Sequence, residues 1–196
     1  MMDLEISLFH FLNGLSGQYP LLDWIMLTLS NSNFWIGVGA VLFLVAFRTK
    51  NSFLLGVLLG SLMALGASDL ISFEVIKPMV ARERPCWLLE ARLIHGKCGG
   101  SFGFTSNHAA NAFAVWTVVA RSFGLRSWAA QVTITLATLV AISRVYLGVH
   151  FFGDILGGAL LGVLVASSLW ALGLEKLAGT ISRKIMAADP KIDQLP

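Results

Sequence analysis

Charge is scarce in this chain. Lys, Arg, Asp and Glu make up 13% of its 196 residues, where a soluble domain carries about 25%. Hydrophobic residues make up 56%, and the mean hydropathy is +0.76. These values exclude an ordinary soluble globule and indicate a polytopic membrane protein. A basic block is missing too. The net charge of +3 is small, no stretch forms a nucleic-acid footprint, and no nucleic-acid partner is expected. The acidic start, MMDLEISLF, lacks a basic n-region and a small-residue cleavage site, so no removable signal peptide is expected. The acidic residues are too scattered for a metal set, and neither a metal nor a cofactor is expected. Cysteine is equally sparse. Cys86 and Cys98 fall in one loop. They are either two unconnected small hydrophobes or a disulfide, which needs an oxidising compartment and contributes roughly 3 kcal/mol.

What remains is a series of apolar runs. The pattern predicts an all-α fold, a polytopic helix bundle of about five or six transmembrane helices with an N-terminal interfacial helix. The chain, 1–196, is expected to form a single membrane domain. Residues 1–16 are too short and too polar to span, and suit an amphipathic helix at the interface with His10 among the headgroups. A short helix is expected over 20–30. Spans are expected over 34–47, 53–76, 107–123, 128–142 and 151–174. The first is only just long enough, so it can begin before Asn33. Gly56, Gly60 and Ala64, and later Gly157, Gly158 and Gly162, form small-residue faces suited to close helix packing.

The basic turns Arg48/Lys50, Arg121/Arg126 and Lys176/Arg183/Lys184 fall on one side, which the positive-inside rule assigns to the cytoplasm. The tail, 176–196, lies there and is expected to end disordered. The loop over 78–105 then lies outside the cytoplasm, and a loop this long is usually functional. Asp69 and Glu74 lie at membrane depth, where an ionisable residue calls for a reason. A structural role is expected for both, by pairing with Lys77 or lining a site mouth.

Three clusters fall on that outer face. The sequence KPMVARERP sets Lys77 at a helix end and Arg84 seven residues on, a pair able to converge on one anion or simply to touch headgroups. In GFTSNHAAN, Ser106 suits a helix N-cap. The amides that follow, near Asn107, would receive a phosphoryl group, and His108 is placed to act as acid or base. The plainer reading is a capping serine with an interfacial histidine. In SRVYLGVHFFGD, Asp154 follows His150 by four residues and can orient one imidazole nitrogen, leaving the other basic. Arg144 adds a fork suited to phosphoryl oxygens. Here the plainer reading is a histidine and an aspartate satisfied at a helix end.

Taken together, these residues resemble the type 2 phosphatidic-acid phosphatase family of integral membrane lipid phosphatases. That family's signature is K-x6-R-P, then P-S-G-H, then S-R-x5-H-x3-D. Lys77, Arg84 and Pro85 match the first part, and Ser143, Arg144, His150 and Asp154 match the third. The middle part departs: Thr105, Ser106, Asn107 and His108 keep the serine and histidine but replace the proline and glycine. Asn tolerates unusual backbone angles better than most residues.

The resemblance implies that His150 attacks phosphorus and forms a phosphohistidine, with Asp154 orienting it. It implies that His108 protonates the leaving oxygen and then activates water. Lys77, Arg84, Ser106, Asn107 and Arg144 would hold the phosphoryl oxygens. Arg82, Arg92, His95 and Lys97 are candidate head-group contacts. The expected partners are the bilayer and a membrane lipid phosphate: lipid A 1-phosphate, phosphatidylglycerol phosphate, phosphatidic acid or undecaprenyl pyrophosphate. The expected location is a bacterial cytoplasmic membrane with the site facing the periplasm. The rivals are a lipid phosphotransferase using the same intermediate, a non-catalytic lipid transporter, and the soluble vanadium haloperoxidases, which the predicted spans disfavour.

Overall fold

A computed structural model describes residues 2–94, 96–100 and 102–187. The chain starts with α1 (Met2–Asn13), α2 (Pro20–Leu29) and α3 (Ser32–Arg48). Next comes α4 (Ser52–Leu70), which runs through a π-helical turn (Ile71–Ile76) into the short α5 (Lys77–Val80). After α6 (Pro85–Leu88) come α7 (Asn107–Phe123), α8 (Trp128–Tyr146), α9 (Phe152–Ala171) and α10 (Leu174–Ala187). Among the described residues there is no strand. The expected all-α class therefore stands.

Among the described residues, three segments are long and apolar enough to cross a membrane: Ser52–Leu88, Trp128–Tyr146 and Phe152–Ala171. The pair α2 and α3 adds a fourth when counted as one span bent by 61°. That bend explains why the run over 34–47 looked short. Against the expected five or six crossings, three or four qualify among the described residues on length and composition. The difference lies in α2 and α3 joining as one bent unit, and in α7, which has 17 residues and a more polar sequence.

Helix α7 is the axis of the bundle, packed most extensively on α9, then on α4 and α8. The small-residue face of α9 makes this possible. A β-carbon at Gly158 would sit 2.5 Å from the Ser106 carbonyl oxygen, and one at Gly162 would overlap the Ala110 carbonyl. Similarly, Gly56 approaches Gly179, and Gly60 packs on Val118 and Ala178, so α10 lies along α4. The tail is therefore an ordered helix to Ala187. Its expected disordered end lies outside the described residues. Phe53 meets Phe123 edge-on at 5.2 Å, and Ser182 Oγ donates to the Ser52 carbonyl. The expected cytoplasmic turns are thus gathered at one end of the bundle, and the three motif clusters converge at the other.

Helix α1 is held against the protein along one side. Phe9 is fully buried, against Phe151 at 5.7 Å. Asn13 is buried too, donating to the carbonyls of Arg92 (3.0 Å) and Tyr146 (2.9 Å). One side of α1 is therefore docked on the protein at the motif end. Leu4 and Phe11 are exposed. His10 is exposed.

Candidate active site

The site is assembled from four helix ends. The π turn and α5 deliver Lys77, the stretch before α6 delivers Arg84, the start of α7 delivers Ser106 to His108, and the α8–α9 turn delivers Arg144, His150 and Asp154. A π turn widens the helix and rotates the residues after it, a feature frequent at functional sites. Gly148, at φ 79°, allows the tight reversal after α8 that carries His150.

His150 is 2% exposed and Asp154 0%. Nδ1 of His150 lies 3.4 Å from Asp154 Oδ2, which also accepts the Phe151 amide at 2.9 Å. On the other side of the ring, Arg84 Nη1 lies 3.0 Å from His150 Nε2. A guanidinium only donates. Nε2 must therefore carry the lone pair, and the ring proton sits on Nδ1, facing the carboxylate. Burial, and then the positive charges of Arg84, Arg144 and Lys77, push the His150 pKa well below 6.5. The imidazole is thus neutral, with its basic nitrogen turned toward the cationic groups.

Lys77 is 3% exposed and ties its Nζ to loop carbonyls: Thr105 at 2.7 Å, Phe102 at 2.9 Å and Gly103 at 3.5 Å. Arg84 Nη1 also donates to the Val149 carbonyl at 2.9 Å. Arg144 Nη1 donates to Ser30 Oγ. Among the described residues, two buried polar atoms here lack a hydrogen-bond partner, Arg144 Nε and Ser106 Oγ. Buried polar groups are nearly always satisfied. A pair left open among fixed cations suits the oxygens of a bound anion. Ser106 does precede α7 as its N-cap, but its hydroxyl makes no cap bond, against expectation.

The altered middle motif has a structural answer. The Asn107 side chain turns to α4 and the π turn: Nδ2 donates to Asp69 at 2.8 Å, and Oδ1 accepts from Ser72 Oγ at 3.0 Å. Asn111 also donates to Asp69, at 2.9 Å. Thr105 Oγ1 lies 2.9 Å from Ser72 Oγ. Asp69 therefore pairs with two asparagine amides of α7 and not with Lys77. Glu74 is exposed and has no described link to Lys77. The ammonium of Lys77 is engaged instead by the carbonyls of Phe102, Gly103 and Thr105.

The candidate head-group contacts divide. Arg82 makes ion pairs with Glu5 (2.5 Å) and Asp154 (3.0 Å), and its guanidinium lies 4.7 Å from the Phe151 ring centroid. Arg92 donates to the carbonyls of Gly14 and Ser16. Lys97 is exposed on the same loop. His95 lies outside the described residues. Cys86 and Cys98 form a disulfide with Cα atoms 5.8 Å apart, resolving the two readings of that pair.

Sequence reasoning missed Glu5, Ser30, Ser72 and Asn111. Glu5 accepts the Gly153 amide at 2.8 Å besides Arg82. Glu5, Ser30 and Ser72 belong to no spaced motif and only the fold brings them near one, while Asn111 closes the GFTSNHAAN stretch at a position outside the signature.

The fold and site define an integral membrane phosphatase. Residues 52–177 match the PAP2 superfamily, and the chain belongs to it. The chain is 29% identical over 179 residues to a lipid A 4'-phosphatase of Porphyromonas gingivalis, covering 89% of this chain and 75% of that one. It is 39% identical over 112 residues to phosphatidylglycerophosphatase B of Bacillus subtilis, covering 53% and 52% respectively. Among solved structures, it resembles the PAP2-type phosphatidylglycerolphosphate phosphatase of Bacillus subtilis. The TM-score is 0.66 at 26% identity, over 87% of this chain and 85% of that one.

Proposed function

We propose that this phosphatase removes phosphate from an envelope lipid of a bacterial cytoplasmic membrane, through a phosphohistidine on His150 and without a metal. The observation that carries this reading is the clamped imidazole: Asp154 on Nδ1, Arg84 on Nε2, all three side chains buried. Such a ring is neutral, oriented and nucleophilic.

In the first step the Nε2 lone pair attacks phosphorus, a P–N bond forms and the P–O bond to the lipid breaks. His108 first takes a proton from the monoprotonated phosphate ester and then gives that proton to the leaving oxygen. In the second step His108 takes a proton from water, the water oxygen attacks phosphorus, and the P–N bond breaks to release phosphate. Asp154 stabilises the charge that develops on His150 in the first step. Lys77, Arg84 and Arg144, with Ser106 Oγ and the amide of Asn107, face the equatorial oxygens, where transition-state charge resides. Three fixed cations take the electrostatic role a metal plays elsewhere.

Two independent features support a location. The basic turns gather at the end opposite the site, and the Cys86–Cys98 disulfide sits beside it, as an oxidising compartment requires. The reading therefore puts the site on the periplasmic face, reached by lipid diffusing sideways. We take chain 1–196 as one membrane phosphatase domain. The named activities of the relatives favour lipid A phosphates and phosphatidylglycerol phosphate among the substrates, with phosphatidic acid and undecaprenyl pyrophosphate the further candidates. The test is phosphate release in detergent, with metal chelated, across that panel, with and without an acceptor lipid. Release from at least one lipid phosphate, independent of chelator and acceptor, supports the reading. Dependence on an acceptor makes the enzyme a transferase, and no release from any substrate removes the reading.

A further inference from the structure

Ser30 ends α2 at the elbow where the chain bends by 61° into α3. It belongs to none of the three motifs, and it is the point where that elbow meets two of them. Its carbonyl oxygen lies 3.1 Å from His108 Nε2, and its hydroxyl oxygen accepts from Arg144 Nη1. The elbow is itself fixed. Trp35 Nε1 donates to the Leu29 carbonyl at 2.7 Å, and the Asn31 side chain caps α3 by accepting the Asn33 amide at 2.9 Å.

A carbonyl can only accept. His108 therefore carries its proton on Nε2, directed at Ser30, and its lone pair on Nδ1. This mirrors His150, which is held by Asp154 at Nδ1 and works through Nε2. The hydroxyl has the matching effect on Arg144. With Nη1 engaged by Ser30, the plane of the guanidinium is set, while its buried Nε keeps no partner.

We propose that Ser30 is a positioning residue for the site. Its carbonyl fixes the His108 tautomer, making Nδ1 the nitrogen that exchanges a proton with the leaving oxygen and with water. Its hydroxyl orients Arg144 toward the phosphoryl group. When Nδ1 takes a proton from water, the Nε2–H bond to the Ser30 carbonyl stabilises the imidazolium. The proposal rests on the reading of His108 as the acid–base group.

Two measurements test it. In the unaltered protein in detergent, 15N-histidine spectra should show a neutral ring protonated on Nε2, and this signal should vanish in His108→Gln. An Nδ1-protonated His108 overturns the tautomer assignment whatever the activity. Separately, Ser30→Ala should lower kcat/KM about tenfold, the usual scale for losing one hydrogen bond to a charged group, and Ser30→Thr should restore it. The Ala loss should appear chiefly in KM, with the pH profile unchanged because the carbonyl remains. Unchanged kcat/KM in Ser30→Ala, or a loss that Ser30→Thr leaves unrepaired in a folded protein, overturns the hydroxyl's role. Full activity of His108→Gln would instead sink the acid–base reading, so the two failures are distinguishable.

Discussion

Arg82 Nη1 lies 3.0 Å from Asp154 Oδ1, and its Nη2 lies 2.5 Å from Glu5 Oε2. One guanidinium thus joins the N-terminal helix to the carboxylate that holds His150. Both Asp154 oxygens are engaged, Oδ1 by Arg82 and Oδ2 by Phe151 N and His150 Nδ1. Asp154 is fully buried, so losing its cationic partner leaves a carboxylate with one oxygen unpaired.

Arg82→Met should therefore lower stability by about 1–3 kcal/mol and reduce kcat by tenfold or more, on the order of a lost orienting contact. Arg82→Lys should recover part of both, and Glu5→Gln should be milder. Thermal unfolding in detergent and steady-state phosphate release check this. An Arg82→Met enzyme with unchanged kcat would make the link merely peripheral.

Asp69 is the hub of the α4–α7 seam through Asn107 and Asn111. Asp69→Ala strands two amides and should cost about 1–3 kcal/mol of stability. Asn107→Gly restores the family residue but removes the bonds to Asp69 and Ser72, so it should also destabilise. The two changes share a bond, so the double variant should lose less than the sum. Strict additivity would show that the seam is not a network.

The Cys86–Cys98 bridge closes a short loop beside Arg84. In the chain-entropy model it contributes roughly 3 kcal/mol. The Cys86→Ser/Cys98→Ser pair, or treatment with reductant, should lower the melting temperature and loosen the loop. Protein isolated from the membrane without reductant should carry no free thiol. Quantitative thiol labelling without denaturant is the contrary result.

The depressed pKa of His150 sets the acid limb of the rate profile. The nucleophile is the unprotonated ring, so kcat/KM should hold as pH falls to 6.5 and decline only below it. Stability runs the same way. Below 6.5 the unfolded imidazole takes up a proton before the folded one, so folded stability starts to fall as pH drops past that point. An acid limb at or above 6.5 would contradict the buried, cation-faced ring.

The helical class and the convergence of Lys77, Arg84, Ser106, His108, Arg144, His150 and Asp154 were legible because each sits in a motif of fixed spacing next to an apolar run. Spacing within a run says nothing about which side chains meet across runs. Glu5 reaches Gly153 and Arg82 only because α1 folds back onto the site, and Ser30 reaches His108 only because of the elbow. Asp69 was recognised as a charge needing a reason at membrane depth. Its true partners are asparagines on another helix, which no charge-pairing rule selects. The docking of α1 was hidden for a similar reason: its sequence is amphipathic whether the apolar face meets lipid or Phe151.

The central claim is a covalent phosphate on His150. Rapid quenching with a 32P-labelled lipid phosphate tests it most directly. The unaltered enzyme should trap acid-labile, alkali-stable label on the chain during turnover. His150→Ala, still folded, should trap none and release no phosphate. Label of the same stability on His150→Ala, or normal turnover by that variant, would contradict the account.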